Sequence, residues 1–173
     1  MAKKLKAPAK QKKVAKRVPP IPAGYHAVTA YLGIKGAAEA IEFYKRAFGA
    51  TELLRMPGPE GKVGHAELKI GDSHVMLAEE SPDMDFLGPR SRGGTTVQLH
   101  LYVPDVDTTV QKAVAAGGKL TRPVEDKFYG DRAGTIEDPY GHVWYVATHK
   151  EDVPPKEMKR RMDEMKKKMA AAG

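Results

Sequence analysis

The chain repeats itself. Thr29 and Gln98, Gly49 and Gly118, and Met76 and Tyr145 each stand 69 residues apart, and the same pattern of elements runs between them. A constant offset means that each half is one supersecondary unit, so the fold must accommodate two copies of it. In the first copy Val28, Ala30 and Leu32 alternate with Thr29, Tyr31 and Gly33, the period of a half-buried strand. Ala37, Ala40, Ile41, Tyr44 and Phe48 then recur at helical spacing, and Gly49 stands where a left-handed C-terminal cap is wanted. Three strands are expected next: 51–56, ended by Pro57-Gly58-Pro59; 63–70; and, across the hairpin signal Gly71-Asp72, 73–79.

The second copy follows the same order. Residues 95–103 alternate Val97, Leu99 and Leu101 against Thr96, Gln98 and His100. Asp105 is placed to cap a helix that buries Val106, Val110, Ala113 and Val114 and stops at Gly117-Gly118. Strands at 119–124, 132–137 and 143–148 complete it, the last two joined by the turn Asp138-Pro139-Tyr140-Gly141. The expected fold is α+β: two βαβββ modules with curled mixed sheets forming a cleft, and a helix at the C-terminus. The expected boundaries are a basic arm at 1–22, modules at 23–81 and 95–149, an exposed loop at 82–94, and an amphipathic helix and tail at 150–173.

Charge separates the ends from the middle. Residues 1–20 hold eight Lys/Arg and no acid, and residues 150–173 hold eight basic against five acidic residues. The part between is mildly acidic, with 13 basic and 17 acidic residues, so any argument about nucleic acid concerns the ends. The arm, rich in Lys, Ala and Pro, reads as disordered and suited at most to weak contact with phosphates or acidic partners. With no cysteine there is no disulfide framework, thiolate nucleophile or cysteine-ligated metal. No apolar run approaches the roughly 20 residues of a membrane span, and the basic start has no apolar segment after it, so a cytoplasmic protein is expected. In the loop, Glu79, Glu80, Asp83 and Asp85 form an acidic cluster that reads as a solvated surface or as an attraction for a cation. Met158, Met162, Met165 and Met169 form one stripe on the C-terminal helix, suited to packing on its own domain, capping a pocket or clasping a partner subunit.

Strand alternation locates the chemistry. The apolar face of each sheet should meet its helix, with Val28, Ala30 and Leu32 on Ala37, Ile41 and Tyr44, and Leu99, Leu101 and Val103 on Val110 and Val114. The other face then carries Thr29, Tyr31, His65, Glu67, Lys69, His74 and Met76 in one module, and Gln98, His100, Tyr102 and Tyr145 in the other. If the two sheets curl toward each other, these residues line a cavity with aromatic walls and a few converging polar groups. His65, Glu67, His74 and His100 are the residue types that bind zinc, iron, nickel or manganese, and they are the candidates for a metal. No His-Glu-x-x-His helix, Gly-x-Ser-x-Gly elbow or phosphate-binding glycine loop is present.

The repeated pattern, with Glu42-Phe43-Tyr44-Lys45-Arg46-Ala47-Phe48-Gly49 after the first strand and Asp138-Pro139-Tyr140-Gly141-His142 before the last, resembles the vicinal-oxygen-chelate superfamily. That superfamily includes glyoxalase I, bleomycin-resistance proteins, fosfomycin-resistance enzymes and extradiol dioxygenases. Tyr129-Gly130-Asp131-Arg132-Ala133-Gly134 and Thr148-His149-Lys150-Glu151-Asp152-Val153 are similar to its PhnB-like branch. The resemblance implies paired modules whose sheets form a cleft, usually completed within a homodimer. In metalloenzymes of the superfamily the ligands are His or Glu on the first and fourth strands of each module. Carried over, those positions fall on Thr29, Met76, Gln98 and Tyr145. None is a good ligand for a divalent cation, though Gln offers a carbonyl oxygen.

The resemblance therefore implies a metal-free, homodimeric protein that binds a small molecule, a drug or metabolite, without turning it over. Tyr31, Tyr145 and Trp144 would supply stacking surfaces, and Thr29, His65, Glu67, Gln98 and His100 the polar contacts, with Met76 at the remaining ligand position. The competing expectation is a metal-dependent lyase, isomerase or dioxygenase with a shifted site at His65, Glu67, His74 or His100. A third makes the core a scaffold for a nucleic-acid-binding arm.

Overall fold

The computed structural model describes residues 18–171. The first module comprises β1 (Ala30–Ile34), α1 (Ala37–Phe48), β2 (Thr51–Pro57), β3 (Val63–Ile70) and β4 (Ser73–Glu79). A short α2 (Pro89–Arg92) precedes the second, which comprises β5 (Gln98–Tyr102), α3 (Val106–Ala115), β6 (Lys119–Asp126), β7 (Asp131–Glu137) and β8 (Val143–His149). Helix α4 (Pro155–Ala171) closes the described chain. The sheets have the orders β1-β4-β3-β2 and β5-β8-β7-β6. In each, the helical crossover makes the first strand parallel to the last, and the other pairs are antiparallel. The 69-residue offset survives in the ladders, where Tyr31 lies opposite Met76 and His100 opposite Tyr145.

The helix ends differ between the modules. Asp105 caps α3 as expected, accepting from the Thr108 amide at 3.1 Å. Helix α1 starts at Gly36 with no side-chain cap. Glu79 supplies what is missing, its two carboxylate oxygens each accepting one amide, of Gly36 and of Ala37, at 2.9 Å. A carboxylate on these unpaired amides also complements the helix dipole. Glu80 accepts from the Gly88 amide and the Ser91 hydroxyl, and Asp85 pairs with Arg92. Three of the four loop acids are thus engaged within the chain.

One core serves both modules. Leu32, Ile34, Leu68 and Leu77 bury one side of α1, while Val110, Ile136, Trp144 and Val146 belong to the same cluster. Helices α1 and α3 pack on each other. The Tyr44 and Phe48 rings of α1 meet Trp144 at centroid distances of 5.5 and 4.6 Å. Asp138 pins this junction. Its carboxylate accepts from the Tyr44 hydroxyl at 2.7 Å, Trp144 Nε1 at 3.0 Å and the amides of Tyr140 and His142. A buried carboxylate is tolerable only with such full satisfaction. Burial and the Asp138 charge push the Tyr44 phenol well above its ordinary value.

Several expectations are corrected. β1 begins at Ala30, so Thr29 and Val28 precede the strand, and Val28 is exposed rather than packed on α1. α3 buries Val106, Val110 and Ala113, at spacings of four and three, and leaves Val114 at the open edge of that stripe. The segment expected as an exposed loop contains α2, and Gly88 and Pro89 are buried. Only the first half of the methionine stripe packs: Met158 and Met162 are half-buried, while Met165 and Met169 are exposed. Residues 1–17, most of the basic arm, lie outside the described residues, as do residues 172–173. Among the described residues no helix is long and apolar enough to cross a membrane.

Candidate ligand-binding site

The polar sheet faces form as the alternation requires, on two separate four-stranded sheets. Ring contacts between the modules run through α1, at Tyr44, Phe43 and Phe48. The side-chain hydrogen bonds on each polar face stay within its own module. Between the unpaired edges of β1 and β5 lies a groove of about 550 Å³, lined by Val28, Ala30, His74, Leu99, His100 and Tyr102 among others.

On the first face four side chains form a chain of hydrogen bonds. The Tyr31 hydroxyl is 3.0 Å from His65 Nδ1, and His65 Nε2 is 3.3 Å from Glu67 Oε1. With Nε2–H donating to the carboxylate, Nδ1 is left to accept the Tyr31 proton. The other Glu67 oxygen accepts from the hydroxyl of Tyr25. Tyr25 lies outside the sheet, and its ring stacks on His74 with centroids 4.1 Å apart and planes at 18°. The hydrogen bond to Glu67, then burial, pushes the Tyr25 phenol up to about 12. The same bond, followed by that from His65, holds the Glu67 carboxyl below its ordinary value, so it is an anion at neutral pH. Met76, paired with both Tyr31 and Glu67, forms the floor between them. Phe86, from the inter-module segment, lies against Tyr31 at 5.2 Å.

The second face is built from phenols. His100 meets Tyr102 and Tyr145 at 4.6 and 4.9 Å. Tyr145 shares a hydrogen bond with Tyr129 from the β6–β7 turn, and burial, followed by that bond, raises its phenol well above the usual value. Tyr102 donates to buried Asp131 at 3.0 Å, and the other Asp131 oxygen lies 2.7 Å from His149 Nδ1. His149 Nε2 faces Asp152 at 3.0 Å, so both ring nitrogens donate to carboxylates. The Asp131 and Asp152 bonds raise the His149 pKa accordingly. Thr135 Oγ1, one strand along from Tyr145, is buried without a hydrogen-bond partner.

Of the residues expected at the site, Tyr31, His65, Glu67 and Met76 come together on one face, and His100 and Tyr145 on the other. Gln98 is exposed at the start of β5, and Thr29 sits just ahead of β1. Trp144 borders the groove but offers little open surface. It is 3% exposed and points into the core, because it lies one residue from Tyr145 on an alternating strand. Tyr25, Tyr129 and Asp131 were missed as site residues. The latter two lie in the quoted segment Tyr129–Gly134, whereas nothing local in the sequence marks Tyr25 as folding back over β3 and β4.

Among the described residues no three His, Asp or Glu side chains are grouped so as to hold a metal. His65 and Glu67 are bonded to each other, His74 lies under Tyr25, and His100 packs among the tyrosines of the other module. Among the described residues of one chain these four side chains therefore do not converge on one point.

The profile of the Glyoxalase/Bleomycin resistance protein/Dioxygenase superfamily matches residues 26–146. Protein Mb0911c of Mycobacterium bovis is 41% identical over 150 residues, covering 85% of this chain and 94% of that protein. The crystal structure of TioX from Micromonospora sp. ML1 is similar at a TM-score of 0.57 and 30% identity, over 70% of this chain and 96% of that one. TnmS3, an antibiotic binding protein from Streptomyces sp. CB03234, shares the fold at a TM-score of 0.53 and 18% identity, over 72% of this chain and 99% of that one.

Proposed function

This chain belongs to the Glyoxalase/Bleomycin resistance protein/Dioxygenase superfamily, and we propose that it is a metal-free, cytoplasmic binding protein that sequesters a ring-bearing small molecule, a drug or metabolite. The observation that carries this reading is the make-up of the two polar faces. Each offers aromatic and imidazole surfaces whose tyrosine hydroxyls and carboxylates are bonded to neighbouring side chains, and among the described residues neither groups three metal donors. Such a surface gives affinity and orientation without an obvious reacting centre. The shared fold with an antibiotic binding protein is consistent with it.

A second copy of the chain completes the cleft in this reading. β1 and β5 are both edge strands with unpaired backbone groups. Beside them Val28, Val97 and Tyr102 are 88%, 64% and 59% exposed. Open edges flanked by apolar side chains invite pairing with another chain. Pairing the first face of one copy with the second face of the other would enclose Tyr31, His65 and Glu67 opposite His100 and Tyr145.

Isothermal titration with a panel of planar aromatic antibiotics, in the presence of a chelator, tests the proposal. One ligand should bind per chain, with weaker binding by His65→Ala and by His100→Ala and no conversion of the ligand. Binding that vanishes with the chelator, or turnover of the ligand, would contradict it.

A further inference from the structure

We infer that Tyr25 is a built-in stand-in for the ligand of the first face, and that this face takes a planar aromatic ring bearing a neutral hydroxyl donor, a phenol. This deepens the binding reading and rests on it. Tyr25 is not part of either module's sheet; it reaches the face from the segment ahead of β1, where the Tyr25 amide closes a turn on the Pro22 carbonyl at 3.1 Å. Gly24, at φ +85, allows that turn, and its backbone passes so close to His74 that an added Cβ would stand 2.9 Å from the imidazole. The ring then makes two interactions that a free phenol could make equally well: it lies flat on His74, and its hydroxyl donates to Glu67.

The face fits a donor rather than an acceptor. Glu67 is acceptor-only when ionised, and its other oxygen is already bonded to His65. His74 Nδ1 is buried with no partner. A phenol supplies both the flat surface that His74 stacks on and the proton that Glu67 accepts, whereas an anionic ligand would meet the carboxylate. Little else fixes Tyr25, since its neighbours His26, Ala27 and Val28 are all exposed. The segment is therefore an occupant that a phenolic ligand displaces, and displacing it lowers the apparent affinity of the intact chain.

The probes are 4-methylphenol, which copies the tyrosine side chain, and 4-methylanisole, which keeps the ring and loses the donor. Binding is followed by chemical-shift titration of the full chain. Tyr25→Ala should bind 4-methylphenol at least about tenfold more tightly than the unaltered chain, with shifts at His74 and Glu67, and should bind 4-methylanisole about tenfold less tightly, as loss of a charge-assisted hydrogen bond dictates. Adding Glu67→Met should erase the preference between the probes. Equal affinity of the two chains for 4-methylphenol, or equal affinity of Tyr25→Ala for the two probes, would overturn the inference. That failure is distinguishable from failure of the binding reading, which depends on the unaltered chain capturing an antibiotic from the panel.

Discussion

Both modules lay a tyrosine from outside the four strands over their polar face, but they secure it differently. In the second module Tyr129 belongs to a turn locked from behind. The amides of Lys150 and Glu151 both donate to the Gly130 carbonyl, and Arg161 of α4 holds Glu151 at 2.8 Å. His149, between Asp131 and Asp152, ties the same turn to the segment that follows β8. In the first module Tyr25 is held by one stack, one side-chain hydrogen bond and a single backbone turn. The flanking chain thus holds the tyrosine of the second face through many contacts and that of the first through few.

The largest effect is expected at the junction the modules share. Asp138→Ala would leave the Tyr44 hydroxyl, the indole N–H and two amides without their acceptor, at a cost of about 3–5 kcal/mol. Urea denaturation should show that loss in a single transition, because the two modules have a common core. Two separate transitions would mean that the modules are independent.

A smaller effect sharpens the contrast between the walls. A Cβ on Gly130 would stand 2.1 Å from the Glu151 carbonyl oxygen at φ +100, so Gly130→Ala should cost about 2 kcal/mol or more. Gly49, at φ +67 with nothing within 4 Å, should cost only about 1 kcal/mol on the same change. Equal costs, compared by thermal unfolding, would show that the turn is not locked. Trp144→Phe should lose about 1 kcal/mol through its bond to Asp138 and leave ligand affinity unchanged. A large fall in affinity would return Trp144 to the site.

The smallest effects differ in sign. Glu67 titrates below its ordinary value in the fold, so the stability it contributes is present above its unfolded pKa and is lost as pH falls through the lowered folded value. His149 is raised in the fold. Its contribution is full below its unfolded pKa, near 6.5, and is lost as pH rises through the folded value. In an NMR pH titration the Tyr25–His74 contact should loosen on the acid side and the His149 clamp on the alkaline side. Loosening of both on one side would contradict the assignment.

The fold was legible because the repeat, the helical spacings and the turn residues all agree, and local agreement of that kind specifies a single architecture. Which strand face is polar was legible too, except at Trp144, where the indole's capacity to stack outweighed the alternation that puts it opposite Tyr145. What the sequence could not show was that α1 packs on the second module, against α3 and Trp144. Val28 and Val114 looked like core because any apolar residue in period does, and only the packing decides which edge of a stripe stays open. The reach of Tyr25 to Glu67 across 42 residues has no local signature at all.

Sedimentation equilibrium of the full chain at micromolar concentration tests whether a second copy completes the cleft. The expected result is a mass twice the 18.9 kDa of one chain. A mass of 18.9 kDa that does not rise with concentration would contradict it, leaving each polar face open to solvent.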